Sequence, residues 1–162
     1  MLVPDISQQS DAEGRLANLD IRLPDSPTPF GSYVEALQTG NLLFLSGMLP
    51  VIDHRPAYVG LIGRELDVKA GQEAARTAAL SALAALRNHL GTLNRISRVI
   101  RLGIFMATVQ DFVDHPTVAD GASDLFRDVF GKGNMSVRTV IGVTSLPLGV
   151  PIELEATLEL KG

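Results

Sequence analysis

An arginine and a glutamate near the C-terminal end of the chain could together handle a small organic acid. Arg138 precedes Glu153 by 15 positions in VRTVIGVTSLPLGVPIELEA, where Leu-Pro-Leu-Gly joins two β-like runs. The planar guanidinium of an arginine can hold a carboxylate through two parallel hydrogen bonds. A glutamate carboxylate can position a water molecule and move a proton. The two residue types therefore predict recognition of a carboxylate beside a reactive carbon, provided that both face one pocket.

Each of these charges also has an ordinary structural interpretation. An arginine on a strand is more often a surface or ion-pair residue. Glu153 belongs to a row of acids in IELEATLEL that could simply be exposed to solvent. Arg138 shares its strand face with Val140 and Gly142, which offer little bulk and leave room for a guest. The two residues taken alone leave both interpretations open.

Length, composition and charge restrict the class of function. The chain has 162 residues, the usual size of one domain, and no cysteine, which excludes disulfides and thiolate chemistry. Its formal net charge of −4 repels the phosphates of a nucleic acid, so no nucleic-acid partner is expected. Neither a secretory leader nor an apolar run long enough to span a bilayer is visible. We therefore expect a cytoplasmic protein without a membrane partner.

The sequence contains no motif for a metal or a cofactor. His54, His89 and His115 are far apart, and none has a second ligand at a metal-binding spacing. The chain lacks a strand followed by G-x-G-x-x-G and a G-x-S-x-G elbow, and GKG at 131–133 lacks the Walker spacing. We expect binding or catalysis by side chains and backbone alone, with no metal and no cofactor.

Two regions follow from the pattern of apolar residues. Residues 1–29 are polar and dotted with prolines, which predicts an N-terminal arm with room for one short helix. Residues 30–162 form the predicted domain. SYVEAL (32–37) and NLLFLSG (41–47) predict a hairpin, and AYVGLI (57–62) could add a short strand.

Two amphipathic helices and three further strands complete this domain. An alanine-rich helix is predicted from Asp67, its N-cap, to about Leu90. A second helix ends before Gly131, and Thr117 with Asp120 matches the pattern of a capping box at its start. RVIRLGIFMATV (98–109) reads as a strand buried on both faces, and IELEATLEL alternates between apolar and polar residues. The order predicts an α+β domain whose mixed sheet carries two helices on one face.

Several of these stretches, in this order, resemble the RidA/YjgF family of imine deaminases, also called the L-PSP endoribonuclease family. They are FGSYVEALQTGNLLFLSGMLP, the alanine-rich helix, ATVQDF and VRTVIGVTSLPLGVPIELEA, and the resemblance covers residues 30–160. Its most specific part is the C-terminal signature, which this chain meets at Arg138, Leu146, Pro147, Ile152, Glu153 and Glu155.

The resemblance implies a chorismate-mutase-like fold of the bacillary type. It also implies a homotrimer whose sheets line a central β-barrel, with three clefts between subunits. In such a cleft Arg138 would bind the carboxylate of the substrate, and Glu153 would position and activate the water that attacks an imine carbon. The implied ligand is a small molecule that bears a carboxylate.

The resemblance also assigns residues that would bind the substrate. Backbone groups around Ser46, Gly47 and Val140 would orient it, and Tyr33 would close over it. The asparagine that is common before the second helix has no clean counterpart here, and the best alignment places Ser123 at its position. Together with the longer N-terminal arm, this departure indicates a divergent subgroup.

Three functions remain in competition. The leading hypothesis is a hydrolase that converts reactive 2-imino acids and water into 2-oxo acids and ammonia. The alternative is a non-catalytic trimer that uses the same arginine to bind a small carboxylate for sensing or regulation. A third hypothesis, cleavage of RNA, is disfavoured by the acidic net charge and by the absence of a stacking platform in the sequence.

Overall fold

A five-stranded mixed sheet organises the protein, for which the computed structural model describes residues 11–162. Its strands are β1 (Ala36–Thr39), β2 (Leu42–Met48), β5 (Ile96–Ala107), β6 (Val137–Val143) and β7 (Ile152–Leu160). They lie side by side in the order β1-β2-β7-β5-β6. In this order β1 forms one edge of the sheet and β6 the other. Of the four pairs of neighbouring strands, β5–β6 is parallel and the other three are antiparallel. A separate two-stranded hairpin joins β3 (Val51–Ile52) to β4 (Arg55–Pro56).

The described part of the chain contains three α-helices beside the sheet: α1 (Ala12–Asn18), α2 (Val68–Leu90) and α3 (His115–Phe130). The buried residues of α2 and α3 pack with those of the sheet in one hydrophobic core. Most buried side chains of α2 are alanines, which lets this helix lie close to its neighbours. Among residues 11–162, no helix combines the length and the apolar character needed to cross a bilayer.

The two long helices approach each other unusually closely at Gly121. A methyl group added to Gly121 would overlap the backbone carbonyl oxygen of Gln72 in α2. The side-chain amide of Gln72 also donates a hydrogen bond of 2.8 Å to the carbonyl oxygen of Thr117. This close contact fixes α3 relative to α2, and it thereby fixes the position of Asp120, the residue before Gly121.

Strand β7 separates the two faces of the sheet. Ile152, Leu154, Ala156, Leu158 and Leu160 point toward the helices and are buried, as the alternation in the sequence predicts. The intervening residues Glu153, Glu155, Thr157 and Glu159 lie on the outer face, which no helix within residues 11–162 covers. The predicted α+β class, with the two long helices on one face of a mixed sheet, is confirmed.

The local predictions differ in accuracy. Asp67 caps α2, because its side chain accepts a hydrogen bond from the amide of Ala70, and Gly91 ends this helix in a left-handed conformation as expected. The capping box at Thr117 and Asp120 is wrong: the N-cap of α3 is Asp114, three residues earlier, and Pro116 occupies the first turn. The extra strand expected in AYVGLI is wrong as well, since the additional strands are β3 and β4.

Helix α1 lies within the segment predicted as an arm and is tied to the domain by buried and polar contacts. Its Ala12 and Leu16 belong to the hydrophobic core. The carboxylate of Glu13 accepts hydrogen bonds of 3.1 and 2.6 Å from the guanidinium of Arg87, and one of 2.9 Å from the amide of Leu93. Burial acts to raise the pKa of Glu13, but the bonds from Arg87 and Leu93 outweigh it and lower this pKa below its ordinary value.

Replacement of Glu13 by glutamine is expected to destabilise the fold by about 1–2 kcal/mol, because the guanidinium of Arg87 loses its charged partner. Since the pKa of Glu13 is lowered by folding, its stabilisation is complete above its ordinary pKa. The stabilisation is lost as the pH falls through the lowered pKa. Urea unfolding of both proteins from pH 7 to pH 3 measures the effect, and the difference between them should shrink toward acid pH. Glu73→Gln, at an exposed position of α2, is the control, and an equal loss there would contradict the assignment.

Candidate functional site

Arg138 and Glu153 lie on opposite faces of the sheet. In β5, Leu102 pairs with Arg138 on one side, and Phe105 pairs with Glu153 on the other. Leu102 is buried against the helices, and residues 102 and 105 point to opposite faces because side chains alternate along a strand. Arg138 therefore faces α3, whereas Glu153 faces outward. Within one chain the two charges belong to different cavities that share no lining residue.

Glu153 lies in a cavity of about 400 Å³ on the outer side of the sheet. The other lining residues are Phe30, Tyr33, Ser46, Gly47, Leu49 and Pro147. Four of the residues predicted from the sequence, Tyr33, Ser46, Gly47 and Glu153, are thus brought together. Sequence reasoning did not place Pro147 in the lining of this cavity. In the structure Pro147 precedes Leu148, whose positive φ of 58° turns the chain toward β7.

The carboxyl group of Glu153 lies directly over Gly47. A methyl group added to Gly47 would overlap Oε1 of Glu153 and would come within 2.9 Å of its carboxyl carbon. The pairing of β2 with β7 shifts register between Leu45 and Met48, and this irregularity contains Gly47. Such irregularities reorient a side chain within a sheet. Glycine at position 47 is therefore a geometric requirement for the observed position of the Glu153 carboxyl group.

The neighbouring Ser46 uses its polar groups inside the chain. Its hydroxyl donates a hydrogen bond of 2.6 Å to the carbonyl oxygen of Val34, and its amide donates one of 2.8 Å to the carbonyl oxygen of Glu35. These bonds hold the segment that follows Tyr33 against β2. The hydroxyl of Tyr33 in turn accepts a hydrogen bond of 3.1 Å from the amide of Phe30. Ser46 thus positions the aromatic wall of the cavity.

The surroundings of Glu153 stabilise the protonated form of its carboxyl group more than bulk water would. Burial of its carboxyl group raises the pKa of Glu153 above the ordinary value, and the negative charge of Glu155 raises it further. Glu155 follows on the same outer face of β7. A carboxylate with a raised pKa is a stronger base than an ordinary glutamate, which suits a group that accepts and later returns a proton.

Arg138 lies in a second cavity of about 220 Å³ between α3 and β6, which Ser123 also lines. Its Nη1 donates a hydrogen bond of 2.7 Å to Oδ1 of Asp120 and one of 3.1 Å to the hydroxyl of Ser123. Its Nε and Nη2 have no hydrogen-bond partner among residues 11–162. The edge of the guanidinium that can hold a carboxylate through two bonds therefore remains available in this part of the chain.

Asp120 is the residue that sequence reasoning missed at this position. Its i, i+3 spacing to Ser123 on the predicted helix places both on the face toward β6, which is the signal that could have identified it. Val140, predicted to bind substrate, shares the inner face of β6 with Arg138 and is half buried against the hydrophobic core. It lines neither the Arg138 cavity nor the Glu153 cavity. Residues 11–162 contain no cluster of three acidic or histidine side chains suited to a metal ion.

Known proteins resemble this chain over most of its length. The profile of the family described as "YjgF/chorismate_mutase-like, putative endoribonuclease" matches residues 13–154. The protein TCP17 of Trypanosoma cruzi is 38% identical over 155 residues, which cover 93% of this chain and 97% of that protein. The 2-iminobutanoate/2-iminopropanoate deaminase of Dermatophagoides farinae is 26% identical over 144 residues, covering 87% and 95%.

A solved structure agrees with the fold in detail. The crystal structure of a protein from Shewanella oneidensis, described as a "putative endoribonuclease", superposes with a TM-score of 0.89 at 30% identity. The match covers 93% of this chain and 100% of that one.

The close contact between Gly47 and Glu153 leads to a direct test. In Gly47→Ala the new methyl group should displace the Glu153 carboxyl group toward solvent, so that the pKa of Glu153 falls toward its ordinary value. A ¹³C NMR titration with labelled glutamate measures this pKa in both proteins. Gly133→Ala serves as the control, because a methyl group there meets no atom within 4 Å. An unchanged pKa of Glu153 in Gly47→Ala would contradict the described packing.

Proposed function

This chain belongs to the YjgF/chorismate-mutase-like family, and on that premise we propose that it hydrolyses small reactive 2-imino acids to 2-oxo acids and ammonia. The proposed site is a cleft between neighbouring copies of the chain in a homotrimer. One copy contributes the Arg138 cavity and its neighbour contributes the Glu153 cavity. The name of the relative from Dermatophagoides farinae, an iminobutanoate and iminopropanoate deaminase, supports this class of substrate.

The observation that carries the proposal is the environment of Glu153. Its carboxyl group is half buried, has a raised pKa and faces an open cavity with Tyr33 and Phe30 in the wall. A purely structural acid on a solvated strand would instead be expected to have an ordinary pKa and no cavity above it. This environment suits a group that must take a proton from water and later return it.

Arg138 supplies the complementary recognition element. Its guanidinium edge formed by Nε and Nη2 has no hydrogen-bond partner among the described residues, and its side chain is only 25% exposed. A carboxylate bound there would make two charge-assisted hydrogen bonds in surroundings that screen them less than bulk water does. A 2-imino acid has one such carboxylate, adjacent to its electrophilic carbon.

The positions of the two cavities support a site between copies. Arg138 and Glu153 face opposite sides of one sheet, so a single chain of this fold cannot bring both to one small ligand. The outer face of the sheet also exposes large apolar side chains, namely Leu37, Phe44, Val137 and Ile141, which are 44–68% accessible. Exposed apolar side chains grouped on one face favour association with another protein surface. Association of identical copies through this face would bring Glu153 of one copy toward a second chain.

The proposed chemistry balances with these two residues alone. Glu153 accepts a proton from water while the water oxygen forms a bond to the imine carbon, and it then gives this proton to the imine nitrogen as the carbon–nitrogen double bond becomes single. The resulting carbinolamine gives its hydroxyl proton to Glu153, which passes it to the amino nitrogen as the carbon–nitrogen bond breaks, so that ammonia leaves and a carbon–oxygen double bond remains. Arg138 holds the carboxylate throughout, so that the carbon stays in line with the water.

Two other functions receive less support. A non-catalytic binder of small carboxylates would need only the Arg138 cavity, which one chain forms with Ser123 and Asp120, and this completeness favours it as the second candidate. The family description also names endoribonucleases. The net charge of −4 and the acidic residues Asp120 and Asp124 in the Arg138 cavity argue against a polyanionic substrate.

Single substitutions distinguish the enzyme from the binder. With an imine generated in situ by an amino acid oxidase, Arg138→Ala is expected to lower kcat/KM for ammonia release about 100-fold, because the carboxylate loses its anchor. Glu153→Gln should lower kcat by about 100-fold or more while it leaves the affinity for 2-oxobutanoate nearly unchanged. The rate of the wild-type protein should rise with pH as Glu153 loses its proton.

Arg76→Ala, at an exposed position of α2, provides the control and should retain wild-type rates. Retained affinity without any ammonia release by the wild-type protein would favour the non-catalytic binder. Full activity of either Arg138→Ala or Glu153→Gln would contradict the proposed roles.

A further inference from the structure

The contact between Asp120 and Arg138 sets the charge of the cavity that the proposed function uses for carboxylate binding. Nη1 of Arg138 is 2.7 Å from Oδ1 of Asp120 and 3.1 Å from the hydroxyl of Ser123. The Asp120 side chain is 52% exposed, so it borders the opening of the cavity instead of filling its interior. A negative charge therefore already lies beside the group that would receive the ligand.

The other charges of this cavity do not compensate for Asp120. Arg127 also lines the cavity, but its Nη1 and Nη2 form ion pairs of 2.7 Å with Asp124 and 2.9 Å with Asp128. Asp124 lines the cavity together with Asp120. Among residues 11–162, Arg138 is thus the lining cation that keeps an unpaired edge, and Asp120 is the carboxylate in contact with it.

A ligand with one carboxylate fits this arrangement. That carboxylate can take the edge of Arg138 formed by Nε and Nη2, while Asp120 keeps Nη1. A second negative charge elsewhere on the ligand would come close to Asp120 without a free cation to offset it, whereas the charge of Asp124 is already paired with Arg127. Repulsion between like charges at this range is strong enough to change binding about tenfold in a partly buried site.

We propose that Asp120 is a specificity-determining residue that restricts the Arg138 cavity to acids with a single carboxylate and no other negative charge. This inference rests on the proposed function and narrows its substrates to 2-imino acids with neutral or cationic side chains. The chemical class that it excludes is the imino acids with an acidic side chain.

Asp120 could instead be a structural partner that only orients Arg138, and the two roles have different consequences. A residue that only orients Arg138 would weaken the binding of every carboxylate by a similar factor when it is replaced. A specificity-determining charge changes the ratio between the affinities for a monoanion and for a dianion of the same shape. The ratio therefore distinguishes them, even if the absolute affinities fall.

The test measures by calorimetry the affinities for 2-oxoglutarate and for its 5-monomethyl ester, which keeps the carbon skeleton and removes the second charge. The wild-type protein is expected to bind the ester about tenfold more tightly, and Asp120→Asn should reduce this preference to about twofold or less. Asp124→Asn is the matched control, because it removes the same charge from the same helix and cavity without touching Arg138. Its preference should stay within about threefold of the wild-type value. Circular dichroism verifies that each variant is folded.

Three outcomes would overturn the inference: an unchanged preference in Asp120→Asn, an equal loss of preference in Asp124→Asn, or a wild-type protein that binds neither acid. Ammonia release is measured on the same preparations. Release of ammonia by the wild-type protein with an unchanged preference in Asp120→Asn would sink the inference and leave the proposed function standing. The expected change in preference without any ammonia release would uphold the role of Asp120 and reject the deaminase.

Discussion

The pairing of β5 with both of its neighbours determines where the chemistry of this protein can occur. Leu102 and Phe105 are paired with Arg138 and Glu153, and these two positions of β5 point to opposite faces of the sheet. The arginine is therefore fixed against α3, and the glutamate is fixed on the outer face. Any small molecule that contacts both must lie where one chain meets another. The single-chain fold thus makes assembly a condition of the proposed catalysis.

In each half of the proposed site, contacts within the chain hold the functional side chains in place without a ligand. The absence of a side chain at Gly47 lets the Glu153 carboxyl group lie over the backbone. The hydroxyl of Ser46 donates a hydrogen bond that holds the segment after Tyr33. On the other face, the tight α2–α3 contact at Gly121 places Asp120 and Ser123 against the guanidinium of Arg138. Residues outside the reaction therefore fix the positions and the charge of those proposed to take part.

Sequence patterns predict those features that depend on periodicity and on local capping. The apolar alternation of β7 predicts which of its residues are buried, and Asp67 and Gly91 bound α2 as expected. The separation of Arg138 from Glu153 within one chain could not be predicted in this way, because it depends on strand order and on pairing between distant segments. Asp120 was misassigned to a cap for a related reason: its partner Arg138 is 18 residues away and becomes its neighbour only in the folded chain.

A mixture of the two inactive variants tests the shared site most directly. Arg138→Ala and Glu153→Gln chains, co-expressed with different tags and purified through both, form assemblies in which one copy can supply Arg138 and the next Glu153. Each trimer that carries both tags then contains both native residues at one of its three sites, and ammonia release should recover to about a third of the wild-type rate. Mixed assemblies no more active than either variant alone would contradict a site built from two chains.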